Sequence, residues 1–459
     1  MKVLIVGAGK LGVRLAKVMD AEQFDVTLVD INPKKVEKLN EQLDVLTVEG
    51  NGVDIKFLRN INAKIFDLVV ATTDNDETNI VICDFVKKLG CKKTIARIRD
   101  IEYSDQMRFI KETIGIDLII NPDLSTARMI AKYLLRDLTY YTGEFASGKV
   151  KIIDFNIKEN ERFIHKRIMD LEDLEGLLIT AISRENDLLI PSGETSLEKN
   201  DTIYVLGDIA TIDKFTKKYK LNGTQKAIDD VMIIGGGHIG TYLAQKLAKE
   251  KVNVKLIEQD KYRVQVLTEL LDHVLIIHGD GSDINLLEQE EINSMQAVVT
   301  VTGLDELNLL VAMIAKHNGV NKSIAKVSRD NYAKVINDLQ IDAAINPLNI
   351  SVSNILKFVR GNKVESISLL LGGEGEVSEL IANKDMFFIN KPLAQAQLPK
   401  GVLIGAIIHE GEVSIANGAS VIQENDRIIV FCHASKVAKF KEIFIQKKGG
   451  FLREIWNRQ

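Results

Sequence analysis

The chain has few cysteines and no long apolar run. Its 459 residues include three cysteines, Cys83, Cys91 and Cys432, and none stands in a CxxC or another metal-ligand spacing. An odd number of cysteines cannot all pair within one chain, so we expect reduced thiols in a cytosolic protein. Because no stretch approaches the ~20 consecutive apolar residues of a membrane-spanning helix, we expect any action at a membrane to take place from the side.

A strong excess of charge is also absent. The net charge of -5 and the pI of about 5.9 provide no general attraction for nucleic acid, so no nucleic-acid partner is expected.

The short apolar run in MKVLIVGAGKLG leads directly into glycines, whereas a signal peptide needs about 7–15 apolar residues. We therefore interpret the N-terminus as a first strand. The length favours more than one domain.

An internal repeat organises the chain. The segment VLIVGAGKLGVRLA matches VMIIGGGHIGTYLA, which aligns Gly7 with Gly235. Further along, VVATTDNDETN matches VVTVTGLDELN, and EGLLITAISRENDLLIPSG matches KGVLIGAIIHEGEVSIANG. A match of this length predicts a duplicated unit, and each unit contains two subdomains.

Within each unit, short Val/Ile/Leu runs alternate with helical patterns, which is typical of a parallel sheet built from βαβ steps. The predicted fold class is α/β: two Rossmann-like, doubly wound parallel-sheet domains, each followed by a small α+β domain. The predicted domains are 1–121, 138–221, 228–346 and 364–446, with a linker at 221–230. Pro122 opens a helix with an apolar stripe between the first two, and this stripe fits either its own domain or a partner subunit.

The first glycine-rich segment follows a strand and opens a helix, where a dinucleotide-binding loop must lie. Its first glycine makes the tight turn, the second admits a pyrophosphate, and the third lets the helix pack on the strand. Asp30 ends the second strand and is placed to bind ribose hydroxyls, which favours NAD or an adenine nucleotide over NADP. The loop residues are Gly7, Ala8, Gly9, Lys10, Leu11 and Gly12.

The second copy repeats this arrangement, and Glu258 takes the position of Asp30. We expect His238, inside the second loop, to tune phosphate binding. The residues of this loop are Gly235, Gly236, Gly237, His238, Ile239 and Gly240.

Other side chains follow strands at the edge where open parallel sheets bind ligands. Thr73 and Asp74 follow the fourth strand, and they are either ligand contacts or the N-cap of a helix. Arg97 ends the fifth strand, where a guanidinium can brace a phosphate. The second copy has Lys326 there, which keeps the charge but loses the bidentate fork, so the second site is expected to bind differently.

Residues for catalysis are scarce beside these loops. A dehydrogenase needs a proton donor or acceptor near the nicotinamide ring, and the one histidine of the first unit, His165, stands among charged residues. No GxSxG, Walker lysine or HExxH pattern occurs. We therefore predict that the chain is not an enzyme. An NAD-dependent oxidoreductase and a nucleotide sensor for another transporter remain the alternatives.

The paired VGAGKLG and IGGGHIG loops, ATTDNDETN, IARIRD, the two INP turns and the duplicated C-terminal modules resemble the peripheral subunits of Trk potassium uptake systems, which are built of tandem RCK (regulator of potassium conductance) units. The resemblance covers nearly the whole chain. It implies RCK N- and C-terminal domains, NAD(H) and ATP or ADP as ligands, and the loop residues with Asp30, Thr73, Asp74, Arg97 and Glu258 as contacts.

The same resemblance implies a cytoplasmic regulator that is peripheral to the inner face of the plasma membrane. Its implied partners are a potassium-translocating membrane subunit of the TrkH or TrkG type and further copies of itself, as a dimer or a tetrameric ring. Nucleotide binding at the two loops is then expected to gate potassium uptake.

Overall fold

The computed structural model describes residues 1–101, 103, 106–135, 144–157, 162–171, 174–184, 187–219, 228–329, 332, 339, 341–360, 364–370, 374–384 and 386–437. Among these residues, no helix has the length and apolarity needed to cross a bilayer. The predicted starts and ends of domains at residues 138, 221 and 446, and most of the predicted linker at 221–230, lie outside this part of the chain.

The first domain is a six-stranded parallel sheet in the order β3-β2-β1-β4-β5-β6. Its strands read as near-continuous apolar runs because helices cover both faces of the sheet. The strands are β1 (Lys2–Val6), β2 (Asp25–Asp30), β3 (Leu46–Glu49), β4 (Leu68–Ala71), β5 (Lys93–Arg97) and β6 (Leu118–Ile120), and the helices are α1 (Lys10–Ala21), α2 (Pro33–Gln42), α3 (Ile55–Asn60), α4 (Asp76–Lys88) and α5 (Met107–Ile114).

Helix α6 (Pro122–Leu135) then leads to a small antiparallel module. Its five strands follow the order β10-β9-β11-β8-β7, and one helix closes it. These elements are β7 (Glu144–Phe145), β8 (Val150–Asn156), β9 (Leu177–Arg184), β10 (Asp187–Leu189), β11 (Thr202–Asp208) and α7 (Ile209–Lys218).

The second unit repeats the first. Its parallel sheet has the order β14-β13-β12-β15-β16-β17, and the antiparallel sheet that follows has the order β18-β19-β22-β20-β21. The elements are β12 (Asp230–Ile234), α8 (His238–Lys249), β13 (Asn253–Glu258), α9 (Lys261–Leu270), β14 (Val274–His278), α10 (Ile284–Gln289), β15 (Ala297–Thr300), α11 (Asp305–His317), β16 (Lys322–Lys326), β17 (Ala343–Ile345), α12 (Pro347–Arg360), β18 (Val364–Leu370), β19 (Gly375–Ile381), β20 (Val402–His409), β21 (Glu412–Ile415) and β22 (Arg427–His433). The predicted fold class is confirmed.

The two units exchange the helices that follow their Rossmann domains. Ile130 and Leu134 of α6 are buried in the core of the second Rossmann domain, whereas Ile355 and Leu356 of α12 are buried in the core of the first. Fully burying such a side chain is worth about 1.5–3 kcal/mol, so each exchange contributes substantially to stability. The apolar stripe of α6 thus packs within its own chain, as one of the two alternatives predicted, but on the Rossmann domain of the other half and not on its own.

The two C-terminal modules share a core as well. Ile152 and Leu206 of the first module and Val377 and Phe431 of the second belong to one cluster of buried side chains. Each antiparallel sheet therefore covers one face of the other, and the four domains form a continuous pseudo-symmetric body.

Candidate functional site

The first glycine loop has the geometry that the spacing predicts. Gly7 adopts a φ of +106°, in the left-handed region that glycine tolerates best. A Cβ atom on Gly12 would stand 2.0 Å from the Gly7 carbonyl oxygen, whereas a Cβ on Gly9 would meet nothing within 4 Å. The first and third glycines are therefore required by close packing, and the second leaves open space at the start of α1.

Asp30 ties the end of β2 to this loop. Its carboxylate accepts hydrogen bonds from the Ala8 N–H at 2.8 Å and the Asn32 N–H at 2.9 Å. Lys35 Nζ also lies 3.2 Å from Oδ2. Since an ionised carboxylate has about four acceptor positions, it retains capacity for a further donor such as a ribose hydroxyl.

Asn79 organises the neighbouring strand ends, and sequence reasoning missed it. Its Oδ1 accepts from the Thr73 N–H at 2.8 Å, and its Nδ2 donates to the carbonyls of Thr73 at 3.2 Å and Arg97 at 2.9 Å. Asn308 makes the equivalent bonds in the second unit. In the sequence, the signal for this role is the asparagine that ends both ATTDNDETN and VTGLDELN.

The N-cap interpretation of Thr73 and Asp74 is wrong. Helix α4 begins after Asn75, whose side chain accepts from the Thr78 N–H. Thr73 instead donates from its hydroxyl to the Asn79 side chain at 2.7 Å. Asp74 is exposed at the carboxyl edge of the sheet, beside the first glycine loop that β1 carries.

Arg97 lies at the same edge. Its Nη1 donates to the Thr73 carbonyl at 3.0 Å, while its buried Nε has no hydrogen-bond partner among the described residues. Burial and the nearby Arg99 lower the pKa of this guanidinium from its ordinary value. A half-buried guanidinium at this edge favours an added anion.

The second glycine loop repeats the first in shape. Gly235 has a φ of +108°, a Cβ on Gly240 would stand 2.0 Å from the Gly235 carbonyl oxygen, and a Cβ on Gly237 would meet nothing within 4 Å. Glu258 accepts from the Gly236 N–H at 2.7 Å. Lys326 Nζ donates to the Thr302 carbonyl, as Arg97 does to Thr73, so the predicted equivalence of these two positions is observed in the structure.

The two sites differ in how a basic side chain from the next helix is used. Arg263 of α9 donates from Nε to the Gly236 carbonyl at 2.9 Å and from Nη2 to Thr241 Oγ1 at 3.1 Å. Its counterpart Lys35 instead pairs with Asp30. Sequence reasoning overlooked this pair, although a basic residue stands five positions after the acid in both copies. The second loop thus holds this cation on its own backbone, whereas the first unit holds it on the acid that ends β2.

His238 begins α8 and faces the first unit. Its buried Nδ1 has no hydrogen-bond partner in the described part of the chain, and burial lowers the pKa of its imidazole. The acids Asp123 and Asp100 and the cation Arg99, all from the first unit, act on it electrostatically, as does Arg263.

This face of α8 is held by hydrogen bonds across the two units. One turn beyond His238, the Tyr242 hydroxyl donates to the Arg99 carbonyl at 3.1 Å and accepts from Asn121 Nδ2 at 3.0 Å. Arg99 also forms an ion pair with Asp123 at 2.6 Å. The second glycine loop therefore lies against the segment that links the first Rossmann domain to α6.

Two family models match the chain, and each matches twice. The TrkA-N domain covers residues 3–122 and 231–347, and the TrkA-C domain covers residues 152–220 and 378–445. The matched ranges coincide with the two parallel-sheet domains and the two antiparallel modules described above.

Curated relatives cover nearly the whole chain. A Trk system potassium uptake protein TrkA homolog of Methanosarcina mazei is 33% identical over 97% of this chain and 100% of its own length. The Trk system potassium uptake protein TrkA of Haemophilus influenzae is 30% identical over 97% of this chain and 98% of its own.

A solved structure shares the fold. The GsuK channel bound to NAD superimposes with a TM-score of 0.56 at 18% identity, and the alignment covers 96% of this chain and 78% of that chain. With tandem TrkA-N and TrkA-C domains and relatives that align from end to end, the chain belongs to the family of Trk system potassium uptake proteins TrkA.

Proposed function

We propose that this chain is the nucleotide-binding regulatory subunit of a Trk-type potassium uptake system. The observation that carries the proposal is the pair of glycine loops, each with open space at its second glycine and an acidic side chain bonded to its backbone. Such a loop at a helix N-terminus combines unpaired N–H groups with the positive end of the helix dipole, which suits phosphate groups.

In the first site, the pyrophosphate of NAD(H) or the phosphates of ATP or ADP fit the open space at Gly9. Asp30 is placed for the ribose, and Arg97 places its guanidinium near Thr73 and Asp74 at the sheet edge, where a positive charge suits a phosphate. The full set of proposed contacts is Gly7, Ala8, Gly9, Lys10, Leu11, Gly12, Asp30, Thr73, Asp74 and Arg97. Support comes from the NAD-bound GsuK channel, which shares this fold.

The second site uses Gly235, Gly236, Gly237, His238, Ile239, Gly240 and Glu258. Arg263 holds its loop, and Lys326 replaces the arginine of the first site. Because an ammonium does not form the bidentate fork of a guanidinium, the two sites are expected to differ in nucleotide preference.

The domain organisation is part of the proposal: RCK N-terminal domains at 1–121 and 228–346 and RCK C-terminal domains at 138–221 and 364–446. Nucleotide binding changes the angle between the two N-terminal domains only if the ligand has different affinities for the two arrangements. The membrane partner is a potassium-translocating subunit of the TrkH or TrkG type, and several copies of this chain assemble beneath it as a ring at the inner face of the plasma membrane.

The proposed role is regulatory and not catalytic. The names of the relatives describe potassium uptake proteins, which favours regulation over hydride transfer. Incubation of the pure protein with NADH and a panel of carbonyl substrates tests this point, and we expect no oxidation of NADH. Sustained turnover would establish the oxidoreductase alternative.

The decisive experiment measures potassium flux in vesicles that contain the membrane subunit with this chain. We expect flux to respond to NAD+, NADH, ATP or ADP, and Gly9→Val to remove the response of the first site. Gly237→Val is the matched variant for the second site. Flux that ignores all four nucleotides over a wide concentration range, with the wild-type chain bound, would refute the proposal.

A further inference from the structure

A buried cluster of three charged side chains joins the first Rossmann domain to the second C-terminal module. Arg360 donates from Nη2 to Glu22 and, at 2.8 Å, to Glu376 Oε2. Its Nη1 also donates to Glu376, so the guanidinium binds that carboxylate through both of its terminal nitrogens. The side chains of Arg360, Glu22 and Glu376 are only 2%, 3% and 4% exposed.

The three residues come from three separate elements. Glu22 is the C-cap of α1 in the first Rossmann domain, Arg360 ends α12, and Glu376 lies in β19 of the second C-terminal module. Burial alone would lower the pKa of Arg360, but the carboxylates of Glu376 and Glu22 raise it above its ordinary value. The guanidinium therefore stays charged, and moving it away from either partner would leave a buried charge unpaired, which is strongly unfavourable.

Apolar contacts strengthen the same joint. Ile367 and Leu369 of β18 pack against the core of the first Rossmann domain, where Val352 and Leu356 of α12 are also buried. The second C-terminal module thus contacts the first Rossmann domain through both an ionic cluster and an apolar surface.

The pseudo-symmetric joint between the second Rossmann domain and the first module is built differently. Glu250, the counterpart of Glu22, has a side chain that is 53% exposed. Lys151 stands in place of Glu376 and pairs with Asp213 of its own module at 3.4 Å. The counterpart of Arg360 is Leu135, which is 37% exposed.

The shared core of the two C-terminal modules extends this asymmetry. Val150 and Ile152 of the first module and Val377 and Ile429 of the second are buried together, so the modules are held to each other. Helix α6, in contrast, is buried in the second Rossmann domain, and the first Rossmann domain holds this pair through polar contacts at Arg99 and Asn121.

We propose that the first Rossmann domain, α12 and both C-terminal modules form one rigid base, against which the second Rossmann domain moves together with α6. The proposal rests on the nucleotide-responsive function, for which it assigns the moving part. It makes the Arg360 cluster the anchor that prevents the first joint from bending.

Distances between spin labels on the full chain test the assignment, in a background where the three buried cysteines are alanine. Labels at the exposed positions Lys17 and Lys400 span the first joint, and labels at Lys249 and Lys217 span the second. We expect a narrow distance distribution for the first pair that saturating NAD+ or ATP leaves unchanged. The second pair is expected to give a broader distribution whose centre shifts with ligand.

Calorimetry on the same samples separates the two hypotheses. The rigid-base proposal is overturned if nucleotide shifts the distance between the first pair of labels. It is also overturned if the distance between the second pair does not shift while calorimetry detects bound nucleotide. If neither nucleotide binds, the nucleotide-responsive function fails. The widths of the distance distributions without ligand still test the rigid base, because a first distribution as broad as the second overturns it.

The anchor itself is tested by neutralising the cluster as a whole. The triple variant Glu22→Gln, Arg360→Met, Glu376→Gln removes all three charges, so that none is left buried alone, and circular dichroism verifies that it folds. We expect the first distance distribution to broaden in this variant, while Lys151→Met, at the matching position of the other joint, leaves it unchanged. If the triple variant folds and its first distance distribution is unchanged, the cluster is not the anchor. If the triple variant does not fold, Arg360→Lys is measured in its place, and the same broadening is expected.

Discussion

Replacing Gly9 with valine is expected to weaken nucleotide binding at the first loop at least about 10-fold without weakening the fold. Gly9 has a φ of -74°, which any residue adopts, and a Cβ at this position meets nothing within 4 Å. The free energy of unfolding should therefore change by no more than about 0.5 kcal/mol, as for other open surface positions. The added side chain occupies the space that a phosphate would need.

The loss in affinity follows from the hydrogen bonds that the phosphate can no longer make. Each bond between a backbone N–H and a charged group contributes about 1.5–3 kcal/mol. Losing one or two of them raises the dissociation constant by roughly 10- to 10,000-fold, since about 1.4 kcal/mol corresponds to a factor of ten. Isothermal titration with ADP and NAD+ measures this change, and urea unfolding without ligand measures stability.

Gly12→Val is the contrasting variant. Its Cβ would stand 2.0 Å from the Gly7 carbonyl oxygen, so α1 must move away from the sheet. We expect a loss of unfolding free energy of at least about 1–3 kcal/mol, the usual cost of overpacking. Wild-type affinity at the first site in Gly9→Val, or equal destabilisation by the two substitutions, would refute the reasoning.

Three further predictions concern side chains away from the loops. Asn79→Leu removes the acceptor of the partly buried Thr73 N–H, whereas the Thr73 carbonyl keeps its bond from Arg97. Urea unfolding should therefore give a loss of about 1–3 kcal/mol for this unpaired group, and a near-neutral result would contradict that role. The hydrogen bond to Asp426 raises the pKa of His409. This hydrogen bond therefore stabilises the fold fully below the unfolded pKa of about 6.5, and the stabilisation is lost as the pH rises through the folded pKa. NMR titration of the imidazole measures the folded pKa, and an ordinary value would contradict the prediction. Burial raises the pKa of Asp154 to about 7, so stability falls as the pH rises toward that value, and Asp154→Asn should remove this decline in unfolding experiments.

Much of this protein follows from local sequence patterns. The glycine loops, the acids that end the second strands and the alternation of strands with helices depend on residues close together in the chain. Their geometry is set by short-range sterics and hydrogen bonding, so the same spacing at Gly7 and Gly235 leads to the same loop twice. The long repeat then extends each inference from one unit to the other.

Side chains with several equivalent partners are harder to predict. Lys35 and Arg263 occupy the same position in the repeat, yet one pairs with the acid and the other with the loop carbonyl. Asn75 is the N-cap of α4, although Thr73 and Asp74 also have side chains that can cap a helix. Within a few residues of one another, such polar groups have similar local energies, and neighbouring elements decide between them.

Only the tertiary structure decided how the two halves are joined. The apolar stripe of α6 would be satisfied by any apolar surface, because the hydrophobic effect has no direction, and the fold places it in the second Rossmann domain. The cluster of Arg360, Glu22 and Glu376 unites residues that are distant in sequence. The sequence by itself thus determined two nucleotide-type loops in a duplicated α/β chain, while long-range packing made their two halves unequal.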